Sequence, residues 1–421
     1  MRPASYRTRT WARIVRRVVT KPGNRPRLPI LRAVLLVWLV VMAFATRPWS
    51  APAPRDAQTP ETCADPGALD ATLFLIGDAG EPRTPREPLL DALAAEAGER
   101  VRALGAQRVA IVFLGDNIYP AGLRAAGHPG RAEDERRLDA QLAVIRNSGA
   151  RGYVVPGNHD WDNAGPDGWE AVKRQTRFVA ARGAEVMPPS GCPGPVSAPL
   201  GARLDLVFLD TQWWLQPDAR PRDAASGCAA TSEAEIESAL AATLRDSGER
   251  HAIVLAHHPL RSGGPHGGRF GWKEHLFPFR EMKRSLWIPV PVLGSIRQFT
   301  RMLGASSEDI SSAPYQQMIE SIERGLAGAP PLVYAAGHDH NLQVIEGGGA
   351  ERFEIVSGAG SAPNLTWAYP IEGTRFAAAE SGYVRLDSYA SGALEATVET
   401  LAAPNTLMPA FRSCLANGAA R

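Results

Sequence analysis

Residues 71–80 read ATLFLIGDAG. An apolar run of this length, closed by glycine and then aspartate, predicts a strand buried on both faces that delivers a carboxylate at its C-terminal end. The same form returns along the chain: RVAIVFLGDNIYP at 108–120, GYVVPGNHDW at 152–161, RLDLVFLDTQWW at 203–214, HAIVLAHHP at 251–259, PLVYAAGHDH at 331–340 and FEIVSGAG at 353–360. Between these runs lie helical patterns with recognisable ends. PLLDALAAEAGERVRALG and AEDERRLDAQLAVIRNSG both stop at glycine, and TSEAEIESALAATLRDSG opens on Thr and Ser suited to capping. Alternating strands and helices predict an α/β architecture, in which ligand sites gather where strand C-termini meet loops. No internal repeat is visible.

The composition limits the function classes. Residues 1–45 hold ten of the 46 Lys and Arg and none of the 44 Asp and Glu; without them, 36 basic residues face 44 acidic ones, a net charge of −8. An acidic body argues against binding nucleic acid by phosphate neutralisation. The apolar run AVLLVWLVVMAFA, 33–45, follows that basic leader. Its length fits a signal-peptide core, and Ala43-Phe44-Ala45 supplies small residues for cleavage, so residues 1–45 read as a signal peptide or a retained N-terminal membrane anchor. The protein is expected to be exported, to the periplasm or beyond the cell, or held at the membrane by residues 33–45. Residues 46–67 read as a linker, 68–402 as one catalytic domain with an insert at about 267–314, and 403–421 as a tail. Cys63, Cys192, Cys228 and Cys414 form no CxxC. Export permits disulfides. Of the three possible pairings, Cys192–Cys228 and Cys63–Cys414 are favoured, with free buried thiols as the alternative.

Polar residues collect at the strand ends: Asp78; Asp116 and Tyr119; Asn158 and His159; His257; His338 and His340. Each has an ordinary reading as a cap, a turn residue or a core histidine. Their joint occurrence at five strand ends is harder to obtain from turn chemistry. Two carboxylates, a phenol, an amide and several imidazoles form a hard-oxygen and borderline-nitrogen donor set, larger than one zinc needs.

The blocks GDAG, GDNIY, GNHD, VLAH and GHDH, in this order, resemble the five blocks of the purple acid phosphatases, within the calcineurin-like metallophosphoesterase superfamily. GHDHNLQ followed by VSGAG is most similar to the small, mammalian-type tartrate-resistant branch. The resemblance spans roughly residues 70–365 apart from inserts. It implies a β-sandwich flanked by helices, in four αββα layers. It also implies an Fe(III) site at Asp78, Tyr119 and His340, a second site for Fe, Zn or Mn at Asn158, His257 and His338, and Asp116 bridging the two. The activity implied is hydrolysis of phosphate monoesters by a metal-bound hydroxide, with His159 and His266 as outer-sphere catalytic groups. The alternatives are a phosphodiesterase or pyrophosphatase using the same site, or a non-catalytic metal-binding surface protein. His258 is either an outer-sphere group or a packing residue; His128, His251 and His275 receive no role. Many superfamily members carry a histidine where this chain has Gly80.

The insert departs from the family. HLFPFREMKRSLWIPVPVLGSIRQFTRMLG, 275–304, mixes aromatic and aliphatic residues with Arg280, Lys283, Arg284, Arg297 and Arg301. It reads as a lid or packing segment, or as a membrane-facing segment near the site. The expected partner is a phosphorylated small molecule or a membrane-derived substrate, with contact to a membrane surface and none to nucleic acid.

Overall fold

The computed structural model describes residues 61–217, 220–280 and 287–418. Two seven-stranded sheets carry the fold. The first contains β1 (Leu69–Ile76), β2 (Val109–Leu114), β3 (Arg151–Val155), β4 (Glu185–Val186), β12 (Gly382–Tyr389), β13 (Ala393–Ala403) and β14 (Thr406–Asn417), in the order β14-β13-β12-β1-β2-β3-β4. The second contains β5 (Val196–Leu200), β6 (Leu204–Phe208), β7 (His251–Leu255), β8 (Val333–Ala336), β9 (Leu342–Glu346), β10 (Phe353–Ser357) and β11 (Thr374–Ala378), in the order β11-β9-β10-β8-β7-β6-β5. The strands β1 to β4 run parallel, as do β6, β7, β8 and β10.

Alternation along β1 explains the layers. Leu73 and Leu75 enter a core shared with Phe208, Leu255, Ala335 and Ile355 of the other sheet. Phe74 and Ile76 point the opposite way, into a core with Leu93 and Leu142 of helices Pro88–Leu104 and Arg131–Ser148. On the far side, Val207, Val254 and Tyr334 pack with Leu240 and Ile322 of helices Glu233–Asp246 and Ala313–Leu326. Strands with side chains in two apolar layers must be apolar on both faces, which is the pattern that residues 73–76 show. The result is α/β in four αββα layers, the architecture that the resemblance implies.

The predicted helices are present. Arg131–Ser148 ends on Gly149 in the left-handed conformation, and Glu233–Asp246 opens with a capping box of Ser232 and Glu235. Two differences are instructive. The segment expected to be a tail supplies β14, an edge strand whose pairing with β13 is broken by register shifts around Pro409. Proline lacks the N–H a ladder needs, so it sits at an edge, and the bulges hide the strand's alternation. The last residues of the expected linker are also tied in: Glu61 bridges to Ser413, and Cys63 is bonded to Cys414. The second disulfide joins Cys192 to Cys228.

Residues 272–295 belong to a compact unit distinct from the described body of residues 61–271 and 296–418. It contains a short helix, Trp272–Leu276, with His275 Nδ1 3.3 Å from Ser295 Oγ and the rings of Phe277 and Trp287 edge to face at 5.0 Å. Among the described residues, no helix is long and apolar enough to cross a membrane. The apolar run 33–45 lies outside them.

Candidate metal centre

The C-terminal ends of β1, β2, β3, β7 and β8 bring the sequence-predicted donors together. Asp78, Asp116 and His338 adopt left-handed backbone conformations, with φ of 57°, 54° and 68°. That conformation costs a non-glycine residue on the order of 1 kcal/mol. Hydrogen bonds hold it: Asp78 N–H donates to Gly115 O at 2.9 Å, and His338 N–H to Asp78 Oδ2 at 2.8 Å. Glycines make the approach possible. A Cβ on Gly80 would lie 2.5 Å from Asp116 O, so the loop carrying Asp116 fills the space a side chain at position 80 would need.

Asp78, Tyr119 and His340 form one cluster. The Tyr119 hydroxyl lies 3.1 Å from Asp78 Oδ1 and 3.0 Å from His340 Nε2, and His340 Nε2 is 3.3 Å from Asp78 Oδ1. Asp116 also faces this cluster. Burial raises the Tyr119 phenol well above its ordinary range, and the Asp116 and Asp78 carboxylates raise it further. Burial lowers His340, but Asp78, together with Asp116 and the Asn364 carbonyl, more than reverses this and brings the imidazole up to about 9. This is a negative pocket.

The second cluster is electrically different. His257 Nε2 lies 3.0 Å from Asn158 Oδ1 and 3.4 Å from Asp116 Oδ1, so Asp116 touches both clusters. The ring of His338 is 5.1 Å from that of His257. Burial pushes His338 well below the ordinary imidazole range, and the neighbouring histidines push it further.

One nitrogen of each of these three imidazoles is fixed by a backbone carbonyl. His257 Nδ1 meets Leu114 O at 2.8 Å, His338 Nε2 meets Glu308 O at 2.8 Å, and His340 Nδ1 meets Asn364 O at 2.7 Å. A nitrogen that donates to a carbonyl carries the proton, which leaves the other with a free lone pair.

The outer histidines flank the clusters. His159 Nδ1 meets Pro120 O at 2.6 Å, its Nε2 lies 3.9 Å from Asp116 Oδ2, and its ring packs on Tyr119 at 4.5 Å. His266 stacks on His338 at 3.9 Å, and its Nδ1 meets Asp309 Oδ1 at 3.0 Å. The side chains of His159, His266 and His340 are 24%, 26% and 21% exposed, whereas those of Asp78, Asp116 and His257 are 2% or less, so the centre opens on its histidine side.

Sequence reasoning left His258 open between an outer-sphere and a packing role, and missed the groups that hold it. His258 is fully buried between Thr211 Oγ1, 2.8 Å from its Nδ1, and Glu308 Oε2, 3.1 Å from its Nε2, and its ring lies 4.5 Å from that of His338. Glu308 and Asp309 come from the insert, in a stretch without apolar periodicity to mark it. Thr211 and the buried Asp210 end β6, in an apolar run closed by aspartate, FLDTQ, the same signal that marked the other strand ends. His128 Nδ1 accepts from Gly130 N–H, and His251 Nε2 meets Gly392 O and Gly418 O.

The donor set fits metal ions. Donors sharing one ion at about 2.1 Å stand roughly 3.0–3.4 Å apart, and the separations of 3.0 to 3.4 Å among Asp78, Tyr119 and His340, and from His257 to Asn158 and Asp116, match.

By sequence, no protein-family profile and no curated protein matches this chain. Solved structures similar to it include GAP50, the anchor in the inner membrane complex of Plasmodium, at 15% identity over 81% of this chain and 88% of that one, with a TM-score of 0.45. Another is purple acid phosphatase PPD1 from yellow lupin (Lupinus luteus) seeds, at 14% identity over 85% of this chain and 55% of that one, with a TM-score of 0.47.

Proposed function

We propose that this protein is a dinuclear metallohydrolase that cleaves phosphate monoesters, of the purple acid phosphatase type. The observation that carries the reading is the anchoring of His257, His338 and His340, each with one nitrogen on a backbone carbonyl and the other left to act as a donor. Asp78, Tyr119 and His340 would hold a hard ferric ion, since two carboxylates and a phenol buried together need a positive charge to balance them. Asn158, His257 and His338, an amide and two imidazoles, suit Fe, Zn or Mn in the divalent state, with Asp116 between the two ions. When bound, the pair would supply charge neutralisation at the phosphoryl oxygens and a water acidified for attack.

The remaining work falls to the chain's own residues. His159 and His266 line the open side and each has one nitrogen fixed, so each can present the other to a phosphate ester. There His159 holds a proton for the departing alkoxide, and His266 orients a phosphoryl oxygen. The buried carboxylates and His257 sit behind them, away from water, where electrostatic interactions are strongest. The two disulfides suit the oxidising compartment that an exported protein enters.

The test compares hydrolysis of p-nitrophenyl phosphate and bis(p-nitrophenyl) phosphate before chelation, after it, and after metal is restored. Chelator-sensitive cleavage of the monoester, restored by metal, is expected. Preference for the diester would move the activity to a phosphodiesterase on the same site. Metal uptake without cleavage of either ester would leave a metal-binding protein.

A further inference from the structure

One stretch of chain borders the open side of the centre. Residues 364–369 start at His340, where Asn364 O meets Nδ1 at 2.7 Å and Thr366 N–H donates to His340 O at 2.9 Å. They end beside the loop that carries His266, where Tyr369 N–H donates to Gly263 O at 2.8 Å. Buried amides brace the two ends against each other. Asn341 Nδ2 lies 3.5 Å from Trp367 O, and Gln343 Nε2 donates to Asn341 Oδ1 at 2.7 Å and to Ser262 Oγ at 2.8 Å. Gly263 N–H donates to Gln343 Oε1 at 2.9 Å. Asn341 and Gln343 are fully buried, so the brace is shielded from water. Three residues span at most about 10 Å of chain, which keeps Trp367 close to the carbonyl that fixes His340.

Trp367 differs from the tryptophans that support the fold. Trp161, Trp169 and Trp213 commit Nε1 to Asp210 Oδ2, Ser190 O and Pro221 O. Trp367 is 55% exposed, and among the described residues nothing hydrogen-bonds its indole or stacks on it. With Leu365 and Ala377–Ala379 it lines a cavity of about 470 Å³. Ala378 pairs with Leu342, two residues after His340, so the cavity lies at the His340 end of the second sheet. A volume of this order holds an organic group. Of the residues lining it, Glu380 alone is charged. A carboxylate without a cation gives a second anion no counter-charge, whereas the indole offers a neutral or cationic ring a face to stack on.

We propose that Trp367, with Leu365 and Ala377–Ala379, forms the subsite for the organic half of the ester, and that the substrate is the phosphate monoester of an arylalkyl alcohol carrying no second anion. The ring stacks on the indole while the phosphate meets the centre between His340 and His266. This deepens the phosphatase reading and rests on it. The test measures binding as well as turnover, by calorimetry on the metal-loaded full chain. The ligands are phenylpropylphosphonate and pentylphosphonate, whose P–C bonds are not hydrolysed. The phenyl ligand should bind about tenfold tighter than the pentyl one. Trp367→Ala should remove most of that difference and leave pentylphosphonate nearly unchanged, and Trp367→Phe should keep part of it. Equal affinities in the native chain, or equal losses for both ligands in Trp367→Ala, would overturn the subsite and leave the phosphatase reading standing. Tighter binding of a phenyl ligand bearing a second phosphonate would overturn the substrate class. The phenyl preference without hydrolysis of phenylethyl phosphate would support the subsite and overturn the phosphatase reading. Failure of both phosphonates to bind would overturn both.

Discussion

The two clusters share Asp116 and differ in almost everything else. Asp78, Tyr119 and His340 combine a carboxylate, a phenol and an imidazole and are positioned by strand ends and by one carbonyl, that of Asn364. Asn158, His257 and His338 offer an amide and two imidazoles, and this cluster leans on the insert: Glu308 supplies its carbonyl to His338 and its carboxylate to His258, and Asp309 holds His266. One half is therefore fixed by the most regular part of the fold, and the other by an irregular loop. A loop can be altered without disturbing a sheet, so the second half is where the properties of the centre are open to change.

The largest break in this comparison is Asp116→Ala, which removes the one group common to both halves. Loss of both ions by elemental analysis is expected, with turnover of p-nitrophenyl phosphate down by about a thousandfold or more. The halves separate in the next pair. His340→Ala should remove the visible absorption of a ferric tyrosinate, whereas His257→Ala should keep that band and lose the second ion; both should cut turnover by about a hundredfold or more. Identical behaviour of the two would erase the distinction. Gly80→Ala presses a Cβ onto the Asp116 loop and should cost about 1–3 kcal/mol in urea unfolding, acting on the first half through packing. The smallest effect is expected from Glu308→Gln. It should weaken the second ion about tenfold in a chelator titration and leave the first unchanged. Equal weakening of both ions would show that the insert supports the whole centre.

The same contrast explains what the sequence could reveal. Strand ends are legible because a both-faces-buried strand forces an apolar run, and the close approach that follows forces glycine, so Gly77-Asp78 and Gly337-His338 stand out. The four layers follow from the same runs and the helices between them. Asp210 and Thr211 were just as legible, yet their residue types do not announce metal chemistry. Glu308 and Asp309 carry no such mark. Their roles come from a loop returning to His258 and His266 some 40 to 50 residues along the chain, a separation that no local pattern encodes. β14 was hidden for a different reason, since Pro409 and three register shifts remove its alternation.

The most direct test of a two-ion centre is elemental analysis of the purified full-length protein, with a visible spectrum of the same sample and of Tyr119→Phe. Two ions per chain, at least one of them iron, and an absorption band that disappears in Tyr119→Phe are predicted. A folded chain that binds no metal, or a band unchanged in Tyr119→Phe, would contradict the account.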